Sequence, residues 1–107
     1  MQIDFTFRNM ESSEALKTCA TDKLAKLDKY LRPPVEAHVT FALERRLHCV
    51  DVTVSASGER FQGRAEEEDM YASIDIVIDK VLRQLHRVHG QTHNHRRGPQ
   101  ADDSPGE

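Results

Sequence analysis

The sequence predicts an α+β domain of order β-α-β-β-β-α, with a four-stranded sheet and two helices packed on one of its faces. Three observations predict it. Residues 69–89 form a run without Gly or Pro in which apolar residues recur at three- and four-residue steps, the pattern of a one-sided helix. A second, shorter helical pattern lies near the N-terminus, and four stretches alternate apolar and polar residues with the period of two expected of half-buried strands. A sheet that carries both helices on the same face buries every one of these apolar stripes and leaves its other face polar.

Gln2 to Arg8 is the first strand, with Ile3, Phe5 and Phe7 facing in and Gln2, Asp4, Thr6 and Arg8 facing out. Arg8-Asn9-Met10-Glu11 turns the chain. Ser12 or Ser13 caps the first helix, and Glu14 in its first turn suits the helix dipole. Leu16, Ala20, Leu24, Leu27 and Leu31 supply its apolar stripe, and Pro33-Pro34 ends it. Lys23, Lys26 and Lys29 lie away from that stripe. Asp22 and Asp28 are interspersed, so this helix taken alone reads equally well as a solvated face of mixed charge.

Val35, Ala37, Val39, Phe41 and Leu43 alternate with Glu36, His38, Thr40, Ala42 and Glu44 to give the second strand. The alternation lapses at Arg45-Arg46-Leu47-His48, which is read as the connecting turn. Val50, Val52, Val54 and Ala56 face in from the third strand, and Ser57-Gly58 is the tight turn of a hairpin. Phe61, Gly63 and Ala65 mark a weaker fourth strand, whose small inward residues leave room for a helix to approach closely. The first two strands, joined through a helix, should run parallel and the remaining pairs antiparallel.

The last helix opens at Asp69, a good N-cap, and should stop at Gly90. Met70, Ile74, Val77, Ile78, Val81, Leu85 and Val88 form its apolar face, with Asp75, Asp79 and His86 flanking it and Lys80, Arg83 and Arg87 on the far side. Asp79 stands one turn before Arg83, the spacing of a surface ion pair. Beyond Gly90 the apolar period stops. Residues 1–97 are therefore read as one domain and residues 98–107, from Gly98-Pro99 to Glu107, as a disordered acidic tail.

With 107 residues, 37% of them hydrophobic and 31% charged, the chain can bury one core and not two. It has no apolar run long enough to span a bilayer and no signal-peptide pattern, so a cytoplasmic protein is expected. Cys19 and Cys49 are too few and too far apart for a disulfide framework or a zinc site, and are read as buried free thiols. The net charge of −3 argues against a uniformly basic nucleic-acid binder, but it conceals an asymmetry. Residues 80–97 hold five Lys or Arg and no acid, while Glu66, Glu67, Glu68 and Asp69 crowd the preceding segment. The helix dipole accounts for one or two charges at each end and not for Arg96 and Arg97.

No set of residues has the spacing of an active site: there is no glycine-rich phosphate loop, HExxH, GxSxG or nucleophile beside a base, so no enzyme and no cofactor is expected. His86, His89, His93 and His95 are the one group with metal-ligand chemistry. His86 and His89 fall three apart on one helix face, but no acid or Cys completes a rigid set, so no evolved metal site is expected. Cations on two neighbouring helices can instead hold phosphates without reading base edges, which suits recognition of folded RNA by shape.

Glu68-Asp69-Met70-Tyr71-Ala72-Ser73-Ile74-Asp75, followed by Ile78-Asp79-Lys80 and Arg83-Gln84-Leu85, resembles the signature of the ribosome hibernation promoting factors, also called ribosome-associated inhibitor A or sigma factor modulation proteins. Met1-Gln2-Ile3, Arg8-Asn9-Met10-Glu11, Glu14-Ala15-Leu16 and Lys23 to Tyr30 extend the resemblance, which covers about residues 1–89. It implies a domain similar to double-stranded-RNA-binding folds that binds the small ribosomal subunit, its rRNA and proteins. The site implied is the channel between head and body where mRNA and the A- and P-site tRNAs would lie. Translation would stop and idle ribosomes would be preserved in starvation or stationary phase. By position, the rRNA-binding cations would be Lys23, Lys26, Lys29, Lys80, Arg83 and Arg87, with Lys17 a weaker candidate.

The chain departs from many relatives after Arg87, where Val88-His89-Gly90-Gln91-Thr92-His93-Asn94-His95 replaces a lysine-rich helix end. Gly90 should fray the helix, and His in place of Lys makes the charge depend on pH. It also lacks the second domain of the long family members, so a short form is expected, monomeric off the ribosome. Such a form either promotes ribosome dimers with a partner protein or inhibits single ribosomes; the acidic tail favours the latter, and both stay open. A regulatory module that binds structured RNA off the ribosome is the alternative function, and a small enzyme would need a polar pocket the sequence does not reveal.

Overall fold

The alternating stretches assemble into one mixed sheet in the computed structural model, which describes residues 1–90. The elements are β1 (Gln2–Arg8), α1 (Glu14–Leu24) continued by a 3-10 segment (Ala25–Tyr30), β2 (Val35–Glu44), β3 (Leu47–Ala56), β4 (Glu59–Glu67), and α2 (Met70–Leu85) continued by a π-helical turn (His86–Gly90). The sheet order is β1-β2-β3-β4. β1 runs parallel to β2, with Phe5 opposite Val39, and the two other pairs are antiparallel, with Phe41 opposite Val50 and Val52 opposite Gly63. This is the expected α+β architecture.

One core joins the inward sheet face to both helices: Val39, Phe41, Val50, Val52 and Val54 meet Leu24 and Leu27 from the first helical segment and Ile74, Val77, Val81 and Leu85 from α2. Ile3, Phe5 and Phe7 pack against its margin and stay half-buried, because β1 is an edge strand. Phe7 and Phe5 stack on the Phe41 ring at centroid distances of 4.9 and 6.1 Å.

Local chemistry sets the ends of the elements. Ser13 is the cap of α1, its Oγ accepting from Leu16 N at 3.2 Å, and Asp69 caps α2 through Oδ2, which accepts from Ala72 N at 3.0 Å. Ser57 and Gly58 both take positive φ, 52° and 79°, the geometry a two-residue hairpin needs to follow the twist of its strands. Gly63 marks the close approach of α2: a Cβ there would lie 3.2 Å from Val77 Cγ2 and 3.3 Å from Val81 Cγ2.

Five expectations are corrected. Cys19, expected to be a buried thiol, is only half-buried. Leu47 and His48 belong to β3, since they pair with Glu44 and Leu43, and the turn is Arg45-Arg46 alone. The lapse in alternation there reflects an outward-facing Leu47, not the loss of the ladder. The first helix tightens to 3-10 geometry at Ala25, although its apolar stripe from Leu16 to Leu31 is buried throughout. The open sheet face is not polar throughout, since Ala42 is buried there beside Cys49, the thiol expected to be buried. Finally, Val88 is not part of the α2 core face: the π-helical turn leaves it 54% exposed and brings His89 to the sheet, 6.0 Å from the Phe61 ring centroid. Arg96, Arg97, His93, His95 and the expected tail 98–107 lie outside the described residues.

Candidate nucleic-acid interface

α1 and α2 lie side by side and run in the same direction, because β1 and β4 both lead into helices that return across the same face. Lys23 therefore sits beside Asp75, with Nζ 2.7 Å from Oδ1, and Tyr30 sits beside His86 further along, with ring centroids 5.0 Å apart in an edge-on contact. The carboxylate of Asp75 raises the Lys23 pKa, by the hydrogen bond and then by its charge. One consequence is that the C-terminal parts of both helical segments fall at the same end of the helical layer. Lys26, Lys29, Arg83 and Arg87 stand exposed on these C-terminal parts. Lys23 is paired to Asp75 between the helices, and Lys80 is turned to the β4 edge, with Asp28 and Asp75 as acids among them.

The six cations are not equivalent. Lys26, Arg83 and Arg87 are exposed and make no ion pair among the described residues. Lys29 stands over the neighbouring Tyr30 ring at 5.4 Å and also makes no ion pair among them. Lys23 is held by Asp75. Lys80 donates to the Arg64 carbonyl at 2.7 Å, which ties it to the edge of β4. Lys17, the weaker candidate, bonds Glu14 at 3.2 Å and lies over Phe5. The expected Asp79–Arg83 pair is not formed; an exposed pair one turn apart gains only about 0.3–0.5 kcal/mol. Asp75 is the α2 aspartate that is used, and it reaches across to the other helix.

His86 and His89 do not share a site. The first turns to Tyr30 and the second to β4, where its Nε2 is 2.6 Å from Glu59 Oε1. The structure brings together a different set with metal-ligand chemistry: Glu44, Cys49 and Glu66, whose ligand atoms lie within 4.8 Å of one another on the open sheet face. Arg64 occupies that place. Its guanidinium is 2.6 Å from Glu66, 2.8 Å from Asp51 and 3.7 Å from Glu44, and so offsets part of the negative charge above Cys49. Burial raises the Cys49 thiol pKa, and the nearby Glu44 and Glu66 charges add to the effect. The signal for this cluster lay in strand register, which places Cys49 opposite Glu66 and Asp51 opposite Arg64, and not in sequence spacing.

Charge is thus divided between the layers. The helical segments carry seven Lys or Arg against five acids, and the strands carry three against seven. A mixed four-stranded sheet bearing two parallel helices on one face, with cations gathered at their C-terminal ends, defines a small βαβββα domain of bipolar surface. Residues 3–93 match the family described as Sigma 54 modulation protein / S30EA ribosomal protein, and the chain belongs to that family. It is 40% identical over 87 residues to the ribosome hibernation promoting factor of Salmonella typhimurium, covering 81% of this chain and 92% of that one. It is likewise 40% identical over 85 residues to the Escherichia coli K12 protein of the same name, covering 79% and 90%. Among solved structures, the N-terminal domain of Protein Y from Thermus thermophilus superposes with a TM-score of 0.75 at 28% identity, covering 82% of this chain and 99% of that domain. A ribosomal subunit interface protein from Coxiella burnetii gives 0.73 at 26% identity, covering 84% and 99%.

Proposed function

We propose that this protein is a ribosome hibernation factor, which binds the small ribosomal subunit through its two-helix surface and holds the ribosome inactive in starvation or stationary phase. The binding place is the mRNA and tRNA channel between head and body, where a bound domain blocks the A and P sites. The single observation that carries this reading is that Lys26, Lys29, Arg83 and Arg87, from two helical segments far apart in sequence, stand exposed on the C-terminal parts of two parallel neighbours in one layer. Such a surface meets phosphates at fixed spacing and needs no base contacts, as recognition of folded RNA by shape requires. The names of the relatives at 40% identity support the same function. The protein acts in the cytoplasm, where its partner is, and among the described residues no helix is long and apolar enough to cross a membrane.

The test pairs a sucrose gradient of stationary-phase lysate with a binding assay on purified small subunits. The protein is expected in the ribosomal fractions, and its position on single or dimeric ribosomes distinguishes promotion of ribosome dimers from inhibition of single ribosomes. Lys26→Gln with Arg83→Gln is expected to weaken subunit binding and to make the slope of log affinity against log salt shallower by about 0.7–0.9 per lost phosphate contact. Equal affinity for isolated duplex RNA and for small subunits would overturn the ribosomal assignment in favour of a general RNA-binding module.

A further inference from the structure

Lys23 stands among the candidate RNA-facing cations, yet it is the one among them paired to a carboxylate, Asp75 at 2.7 Å across the groove between the helices, at the surface of the molecule. Beyond the shared core, two contacts bracket the cation-bearing stretch: Lys23–Asp75 at one end and the Tyr30–His86 edge contact at the other. Lys26 lies between them on the first helical segment and Lys80 and Arg83 lie between them on α2. The spacing of the two brackets differs between the helices. Asp75 to His86 is a rise of about 16 Å at α-helical pitch, whereas Lys23 to Tyr30 would rise only about 10 Å if the helix stayed regular. The 3-10 segment lengthens that rise to about 13 Å and lets both contacts form at once.

We infer that the Lys23–Asp75 pair is a strut that fixes the distance between the cations of the two helices, and that Lys23 is a positioning residue and not a phosphate contact. This inference rests on the proposed binding of the small subunit by the helix pair. Phosphates in folded RNA are fixed in space, so two rows of cations bind them together only at the matching separation. The shared core sets the spacing of the two helices, and the strut orders the surface above it, which is otherwise made of long, mobile side chains.

The test uses the full chain and purified small ribosomal subunits. Asp75→Asn separates the possibilities by sign. It removes a negative charge beside the cations, so simple electrostatics predicts tighter binding, whereas loss of the strut predicts binding weaker by about tenfold, the scale of one or two misplaced phosphate contacts. Lys23→Asp and Asp75→Lys are each expected to weaken binding similarly, and the reversed pair carrying both changes is expected to recover the parent affinity to within about twofold with the parent salt slope. Tighter binding by Asp75→Asn would overturn the inference. So would a reversed pair as weak as Lys23→Asp with a salt slope shallower by about 0.7–0.9, since Lys23 would then touch phosphate itself. Lys26→Gln with Arg83→Gln is the control: if it binds like the parent, the helix surface is not the RNA-facing one, and it is that reading which fails.

Discussion

Gln84 on α2 grips the backbone of Gln62 on β4 at both of its polar groups: Nε2 donates to the Gln62 carbonyl at 2.6 Å, and Oε1 accepts from the Gln62 N–H at 3.2 Å. One helical turn earlier, Lys80 donates to the carbonyl of Arg64. A turn of four residues along a helix rises about 6 Å and two residues along a strand about 6.7 Å, so side chains at this interval can follow every second residue of the strand. α2 therefore supplies side-chain partners to the Gln62 N–H and carbonyl and to the Arg64 carbonyl on the free edge of β4, and so hinders pairing with another chain along that stretch.

Replacing Gln84 with Ala should cost about 1 kcal/mol, the net worth of one or two exposed hydrogen bonds, and should expose that edge. Urea denaturation measures the first effect. Sedimentation at rising concentration measures the second, and a variant that stayed monomeric at all concentrations would show that Gln84 does not guard the edge.

Gly63 is small because α2 leaves no room above it. Gly63→Val should destabilise the domain by about 1–3 kcal/mol, since Val77 and Val81 are themselves stiff and cannot turn aside. Thermal melts of Gly63→Ala and Gly63→Val should fall in that order; equal melting temperatures would mean that the helix can lift away freely.

Leu85 and Arg83 are two residues apart and should behave as opposites. Leu85 is fully buried, so Leu85→Ala should cost about 2–5 kcal/mol through the cavity it leaves. Arg83→Gln should stay within about 0.5 kcal/mol of the parent while losing affinity for small subunits. Lys80→Gln should fall between them in stability, because it also loses its bond to β4. A denaturation series on the three variants, read beside their binding, separates core from surface roles.

The cysteines should differ in reactivity. Burial raises the pKa of both thiols, so at any given pH less of the nucleophilic thiolate is present than in a free cysteine. Cys49 is also closed off by strands and by the Arg64 cluster, whereas Cys19 is partly exposed. Iodoacetamide should therefore label Cys19 first, with both rates rising as pH increases, and reach Cys49 only when the sheet opens. Labelling of the two at equal rates in the native protein would contradict the packing around Cys49.

The fold was legible because each element announced one buried side. The period of two over β2 and the three-to-four spacing from Met70 to Leu85 fixed both the kind of element and its inward residues, and Ser57-Gly58 had the chemistry of its turn. What stayed hidden depends on neighbours distant in sequence. Arg64 and Cys49 look unrelated until register sets them beside the same acids, and Gln84 is an ordinary polar helix residue until the edge of β4 arrives. The site divides in the same way. That the candidate cations lie off the buried helix faces could be read from the apolar period, but which of them are already engaged, Lys23 by Asp75 and Lys80 by a carbonyl, could not.

A protein of net charge −3 should be turned away by a polyanion at long range, yet the division of charge between its two layers gives it an electric moment as well. In the field of a nearby phosphate surface that moment produces a torque, which swings the strand layer outward and the helix ends inward before any contact is made. Monopole repulsion then slows chance encounters, while the moment selects among those that occur the ones that present the proposed helix surface. Wrong-way collisions separate quickly, because the side that meets the RNA is the one that carries the acids.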